Sequence, residues 1–288
     1  MGTRWERRLV SVVAGPGFGK TVLLATAAAT EAGSSARVDV WLTCEPADAE
    51  AEHLLAGLVV ASGLPADGIA DLSDRVWAQA PRLVCFLLDD VHEVPEGSDG
   101  ARLLGRLLTE LPGNGRLVLA SREPVPVPVS RLAAAGQVTR ITERDLVFDS
   151  DEATAFAEAR ALPPDRMAAA GGWPALAELA ATAGADLVPE YLWDEVLDRV
   201  GTERARLLAA FEAVGGGGDD VVGALARRSV TVDELVAAVP LVARAHDGEA
   251  ALHPLWRPAL RRLLAEAEVA DVRRRAGSRC RPAQLVSP

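Results

Sequence analysis

Positive charge, aromatic rings, cysteine and long apolar runs are all scarce in these 288 residues. With 41 acidic against 30 basic side chains the formal net charge is -11, which argues against nonspecific binding of nucleic acid or an anionic membrane by the chain as a whole. No apolar run approaches the roughly 18 residues of a membrane span, and the N-terminus, with Arg4, Arg7 and Arg8, lacks the length and cleavage site of a signal peptide. The three cysteines have no metal-ligand spacing: Cys44 and Cys85 lie in apolar, strand-like runs as buried thiols, and Cys280 lies in a polar tail. A reduced, cytoplasmic protein is the simplest inference. Only 4% of the residues are aromatic although 49% are hydrophobic, chiefly Ala, Leu and Val, a composition that favours helices around valine-rich buried strands. Lysine occurs only once, since 29 of the 30 basic residues are arginine and Lys20 stands alone.

That single lysine ends a distinctive stretch. Leu9 to Val13 is an apolar run suited to a buried strand, Ala14-Gly15-Pro16-Gly17-Phe18-Gly19 is a glycine-rich turn, and Lys20-Thr21 opens the helical pattern that continues from Val22. Glycines let the backbone curl so that several N–H groups face phosphate oxygens, and the helix N-terminus adds partial positive charge. Gly15, Gly17, Gly19, Lys20, Thr21 and Val22 are therefore candidate phosphate- and nucleotide-binding residues. Lys20 would reach the terminal phosphates, and the Thr21 hydroxyl would hold Mg²⁺. The phosphate-loop pattern asks for glycine at position 14, where this chain has Ala14. A Gly-Pro turn before an ordinary helix is the bland alternative.

The first half alternates strand and helix patterns, the order of a parallel α/β sheet. Val38 to Cys44 reads as a second strand, and Leu54, Leu55, Leu58 and Val59 as one helix face. Arg82 to Leu88 reads as a strand buried on both faces that ends in Asp89-Asp90. Ligands in such sheets gather outside the carboxyl ends of the strands. Asp89 is accordingly assigned to the Mg²⁺ shell and Asp90 to polarising an attacking water, against the alternative of an acidic turn. Arg116 to Ser121 reads as a fourth strand, after which Arg122 is either a fork of donors for a γ-phosphate or a solvated surface arginine.

Five segments in this order resemble the nucleotide-binding module of the STAND class of P-loop NTPases, in the branch of the maltose-operon activator MalT and the large LuxR-type regulators. They are Ala14–Thr21, Leu87–His92, Leu117–Arg122, Gly171-Gly172-Trp173-Pro174-Ala175-Leu176 and Leu252-His253-Pro254-Leu255-Trp256. The resemblance implies an ASCE-type sheet with an extra strand between the P-loop strand and the Asp-bearing strand, followed by an all-helical subdomain and a winged-helix domain. It implies an ATP/ADP switch with Mg²⁺, slow hydrolysis and a transcriptional output, with Arg122 as sensor of the terminal phosphate. It also implies Pro174 against the adenine and His253 near the β-phosphate. From the residues alone, Pro174 is equally a helix initiator and His253 a helix-start histidine.

The expected domains are residues 1–145 for the nucleotide-binding domain, 146–187 for the helical domain, 188–267 for the winged helix, and 268–288 for a basic tail. Gly215 to Gly218 reads as a flexible loop, and Val221–Arg228 with Thr231–Val239 as a helix-turn-helix-sized pair. The would-be recognition helix carries Asp233 and Glu234 and no cation, so DNA binding by this chain is not expected. The expected partners are nucleotide, a protein or fused sensor and output domains, and further copies in a nucleotide-dependent oligomer. A noncatalytic scaffold with a structural or decayed nucleotide site is the alternative reading, motivated by Ala14 and by the absence of any segment resembling the family's sensor repeats or DNA-binding domain.

Overall fold

The computed structural model describes residues 2–162, 167, 170–182, 188–237, 239, 242–244, 248–253 and 256–276. The chain divides into two compact units, Met1–Val147 and Phe148–Pro288.

The first unit is built on a five-stranded parallel sheet of β1 (Leu9–Val13), β2 (Arg37–Thr43), β3 (Leu83–Asp89), β4 (Gly115–Ser121) and β5 (Val138–Thr142), in the order β2-β3-β4-β1-β5. The strand expected between the P-loop strand and the Asp-bearing strand is β4. Helices α1 (Lys20–Thr30), α2 (Ala51–Ser62), α3 (Ile69–Trp77), α4 (Asp99–Glu110), α5 (Ser130–Ala134) and α6 (Glu143–Leu146) follow in chain order between and after the strands.

Side chains alternate across a strand, so a sheet covered on both sides needs apolar residues at every position. The three central strands come close to this, with buried polar exceptions at Ser11 within β1 and at Asp89 and Ser121 where β3 and β4 end. Leu9, Phe86, Leu88, Leu117 and Leu119 form one core with Leu54 and Leu58 of α2, Leu72 and Val76 of α3, and Leu104 and Leu107 of α4. Val10, Val12, Cys85, Leu87, Val118 and Ala120 form the other with Leu24 of α1 and Trp5. Each fully buried leucine is worth about 1.5–3 kcal/mol, so the two layers together fix the sheet's register. Cys44 and Cys85 are buried free thiols, and burial raises both pKa values, that of Cys44 to about 12.

β5 and α3 have no counterpart in the sequence reading. Val-Thr-Arg-Ile-Thr is half-exposed along an edge strand, so it carries neither an apolar run nor a clean alternation. Its pairing to β1 is nonetheless complete, from Leu9 opposite Val138 to Val13 opposite Thr142.

The second unit is mainly helical. It includes Ser150–Ala159 (α7), Pro174–Thr182, a run from Val188 to Val200 whose middle turn Trp193–Leu197 is π-helical, Thr202–Val214, Asp219–Ala226, Val232–Val236, Trp256–Leu260 and Glu266–Ala276. Val242–Arg244 and Ala250–Leu252 pair antiparallel. Two expectations are corrected. Gly215 to Gly218 is not a free loop: Gly217 exchanges backbone hydrogen bonds with Ala250 in both directions, and a Cβ at Gly216 would lie 2.3 Å from the Ala250 carbonyl oxygen. The basic segment expected to be tail from residue 268 is helical through Ala276, because Val272 and Ala276 are buried. Residues 277–288, with Cys280, lie outside the described residues. No helix among the described residues is long and apolar enough to cross a membrane.

Gly100 shows how tightly the site-bearing edge is packed, since a Cβ there would sit 1.9 Å from the backbone oxygen of Asp48. A rigid backbone atom cannot yield as a side chain can, so Gly100→Ala should cost about 2 kcal/mol or more, read as a lowered urea midpoint at unchanged slope.

Candidate functional site

The turn after β1 is shaped by Gly17 and Gly19, whose φ values of 75° and 77° fall in the left-handed region that side-chain-bearing residues disfavour. Gly19 caps α1, and its carbonyl accepts the first helical hydrogen bond from the Leu23 N–H at 2.8 Å. Lys20 and Thr21 then stand on the first turn of α1. The Lys20 side chain is buried, with its ammonium donating to the carbonyls of Ala14 at 2.8 Å and Gly15 at 2.9 Å. Burial above all, and then the Arg122 guanidinium, pull its pKa down to about 8 against Asp90, Asp89 and Glu143, which favour the charged form.

Thr21 Oγ1 donates to Asp89 Oδ2 at 2.6 Å. Asp89 is the last residue of β3 and almost fully buried. Its other carboxylate oxygen accepts the Asp90 N–H at 3.0 Å, and its carbonyl accepts the Cys44 N–H at 2.9 Å. Asp90 follows in a left-handed conformation with φ 52°, a strained choice for a non-glycine residue, and its side chain is partly exposed. His92 lies behind it, 3.8 Å from Nδ1 to Asp90 Oδ1, and burial followed by the Arg122 charge lowers its pKa and keeps it neutral. Arg122 follows β4 directly and is near enough to lower the pKa of both Lys20 and His92.

Sequence-selected Lys20, Thr21, Asp89, Asp90 and Arg122 are thus gathered at the carboxyl ends of β1, β3 and β4. Val22 follows them on α1, two-thirds exposed. The sequence reading passed over Glu143, the first residue of α6, whose Oε1 accepts the Gly15 N–H at 2.9 Å. Its only local signal, a carboxylate at a helix start, is too common to single it out.

Pro174 and His253 belong to the second unit. Pro174 opens its helix behind Gly171 and Gly172, both with positive φ, and the fully buried Trp173. A Cβ at Gly171 would lie 3.3 Å from His253 Nε2, so these two sequence-distant motifs pack against each other, and burial keeps His253 neutral by lowering its pKa.

The donor set suits a magnesium-bound polyphosphate: hard oxygens on Thr21 and Asp89, and a buried ammonium beside them. Among the described residues no cluster of three or more His, Cys, Asp or Glu could hold a metal. Magnesium here would therefore draw further ligands from phosphate and water, as is usual for this ion.

Comparison with known proteins agrees at the level of fold. The Walker-type ATPase PABY2304 of Pyrococcus abyssi superposes with a TM-score of 0.56 at 14% identity, over 89% of this chain and 91% of that one. The chain has the fold of a P-loop ATPase. The STAND protein PH0952 of Pyrococcus horikoshii, with its tetratricopeptide repeat sensor, aligns at 16% identity and a TM-score of 0.39, over 94% of this chain but 42% of its own length. Cdc6p of Pyrobaculum aerophilum aligns at 14% identity and 0.41, over 88% and 87%. These two scores are too low to carry an argument. No protein-family model matches the sequence, and no curated protein does.

The depressed Lys20 pKa makes a stability prediction. Between pH 8 and the unfolded value near 10.5 the unfolded chain binds the proton that the folded chain has released, so stability rises with pH through that window. The rise should be on the order of 3 kcal/mol. Lys20→Met should remove it and be the more stable protein at pH 7, as measured by urea unfolding across pH 7 to 10.5.

Proposed function

We propose that the chain is an ATP/ADP-binding signal-transduction switch module of a transcriptional regulator, in which slow ATP hydrolysis controls the arrangement of its domains. The observation that carries this reading is the Thr21 to Asp89 hydrogen bond beside the buried Lys20 ammonium. A cation buried at a cost to stability is explained by a polyanion that it serves. In this reading Gly15, Gly17, Gly19, Lys20, Thr21 and Val22 cradle the nucleotide, and Thr21 and Asp89 hold Mg²⁺. Asp90 orients and deprotonates the water that attacks the γ-phosphorus, and Arg122 stabilises the charge on the departing γ-phosphoryl oxygens. Pro174 takes the adenine face and His253 the diphosphate.

The domain division that goes with it is 1–145 for the nucleotide-binding part, 146–187 for a helical part and 188–267 for a winged helix serving as an internal packing partner. The protein would be cytoplasmic, work with a protein partner or fused sensor and output domains, and assemble in a nucleotide-dependent manner. Ala14 in place of the motif's first glycine favours the second reading, a noncatalytic scaffold that keeps its nucleotide.

Titration with MgATP and steady-state phosphate release separate the two. For the switch, Lys20→Ala should weaken binding about 100-fold by removing a charged partner of the phosphates, and Asp90→Asn should leave affinity within about threefold while lowering turnover about 100-fold or more. Bound nucleotide without turnover in the unaltered protein would establish the scaffold. Absence of nucleotide from denatured protein, together with no binding on titration, would sink both.

A further inference from the structure

We propose that Glu143 is a positioning residue of this site, holding the peptide unit between Ala14 and Gly15 so that its carbonyl receives the Lys20 ammonium. A trans peptide is planar and presents its N–H and its C=O on opposite sides. On one side the Gly15 N–H donates to Glu143 Oε1 at 2.9 Å; on the other the Ala14 carbonyl accepts from Lys20 Nζ at 2.8 Å. The unit is clamped between a carboxylate and an ammonium, each polarising it in the same sense, which strengthens both charge-assisted bonds.

The placement follows from the sheet. β5 pairs with β1 in parallel with Val13 opposite Thr142, so the residue after Thr142 emerges beside the first residues of the loop. Glu143 cannot swing away with its helix, because α6 is fixed at its start: Asp145 Oδ2 accepts from both the backbone N–H and the hydroxyl of Thr142 at 2.8 Å. Those two bonds hold the Asp145 carboxyl below its ordinary pKa.

The clamp also answers the departure at position 14. The P-loop pattern places glycine there, whereas this chain has a buried Ala14 and fixes the next peptide from outside the loop with an edge-strand carboxylate. The groups facing Lys20 are then Arg122, which opposes its charge, and Asp89, Asp90 and Glu143, which support it. Glu143 thereby sets where the ammonium rests.

The inference rests on the nucleotide-binding reading for its consequence but not for its geometry, so the test has two arms. The first measures amide hydrogen exchange at Gly15 in ligand-free protein. It should be about tenfold faster in Glu143→Ala, and within about threefold of the unaltered protein in Glu143→Gln, whose amide oxygen still accepts. The second titrates MgADP at pH 7.5. Affinity should fall about tenfold in Glu143→Ala and stay within about threefold in Glu143→Gln, whose amide oxygen still holds the Gly15 N–H. Glu143 is partly exposed at the start of α6, and urea unfolding of both variants checks that they keep the fold. Unchanged Gly15 exchange in Glu143→Ala overturns the clamp, as do tighter MgADP binding in that variant and failure of Glu143→Gln to rescue. If the unaltered protein binds no MgADP while the exchange pattern holds, the nucleotide reading falls and the clamp stands.

Discussion

A hydroxyl and a carboxylate 2.6 Å apart, Thr21 on α1 and Asp89 at the end of β3, tie together two elements that are not neighbours in the sheet. β4 lies between β1 and β3, and with strands about 4.8 Å apart the two backbones are separated by roughly 10 Å. Two short side chains close that gap only if the carboxyl ends of both strands reach the same edge. Parallel pairing supplies the common edge, and the two core layers hold each strand at its level along it. The Cys44 N–H on the Asp89 carbonyl extends the same alignment to β2. The packing of the first unit can thus be understood as what holds this one contact in place.

The electrostatics of the site run against folding. Lys20 and Arg122 repel each other in a setting where desolvation already disfavours the ammonium, and the carboxylates of Asp89, Asp90 and Glu143 restore only part of the loss. Asp90 adds backbone strain of about 1–2 kcal/mol in its left-handed conformation. Costs of this kind persist where the rest of the structure over-determines them, and they are drawn from the surplus of the apolar layers.

What could be read in advance, and what could not, divides along physical lines. β1, β3 and β4 were legible because burial on both faces demands largely apolar runs; Asp89, Asp90 and Arg122 were legible because they close or follow such runs, and Lys20 and Thr21 because they end the glycine-rich turn after one. β5 was not, since an edge strand half-exposed to solvent needs no hydrophobic signature. Glu143 was hidden for the same reason: its meaning comes from the register of β5 on β1, which no local pattern encodes. The packing of His253 on Gly171 joins segments far apart in sequence and needs the folded second unit to be seen. Gly215 to Gly218 misleads in the opposite direction, because a run of glycines signals flexibility to the reader while the fold uses it to bring backbone against backbone at Ala250.

Magnitudes also constrain how a switch of the proposed kind could operate. Throwing a two-state equilibrium from 1:99 to 99:1 requires about 5.5 kcal/mol of differential affinity, because a ligand shifts an equilibrium only by the difference in its binding to the two states. One charge-assisted hydrogen bond from Arg122 to a terminal phosphate is worth about 1.5–3 kcal/mol. Triphosphate sensing through that residue alone would bias the equilibrium without completing it. A complete switch on this scaffold therefore needs further contacts with their own preference between the two nucleotide states.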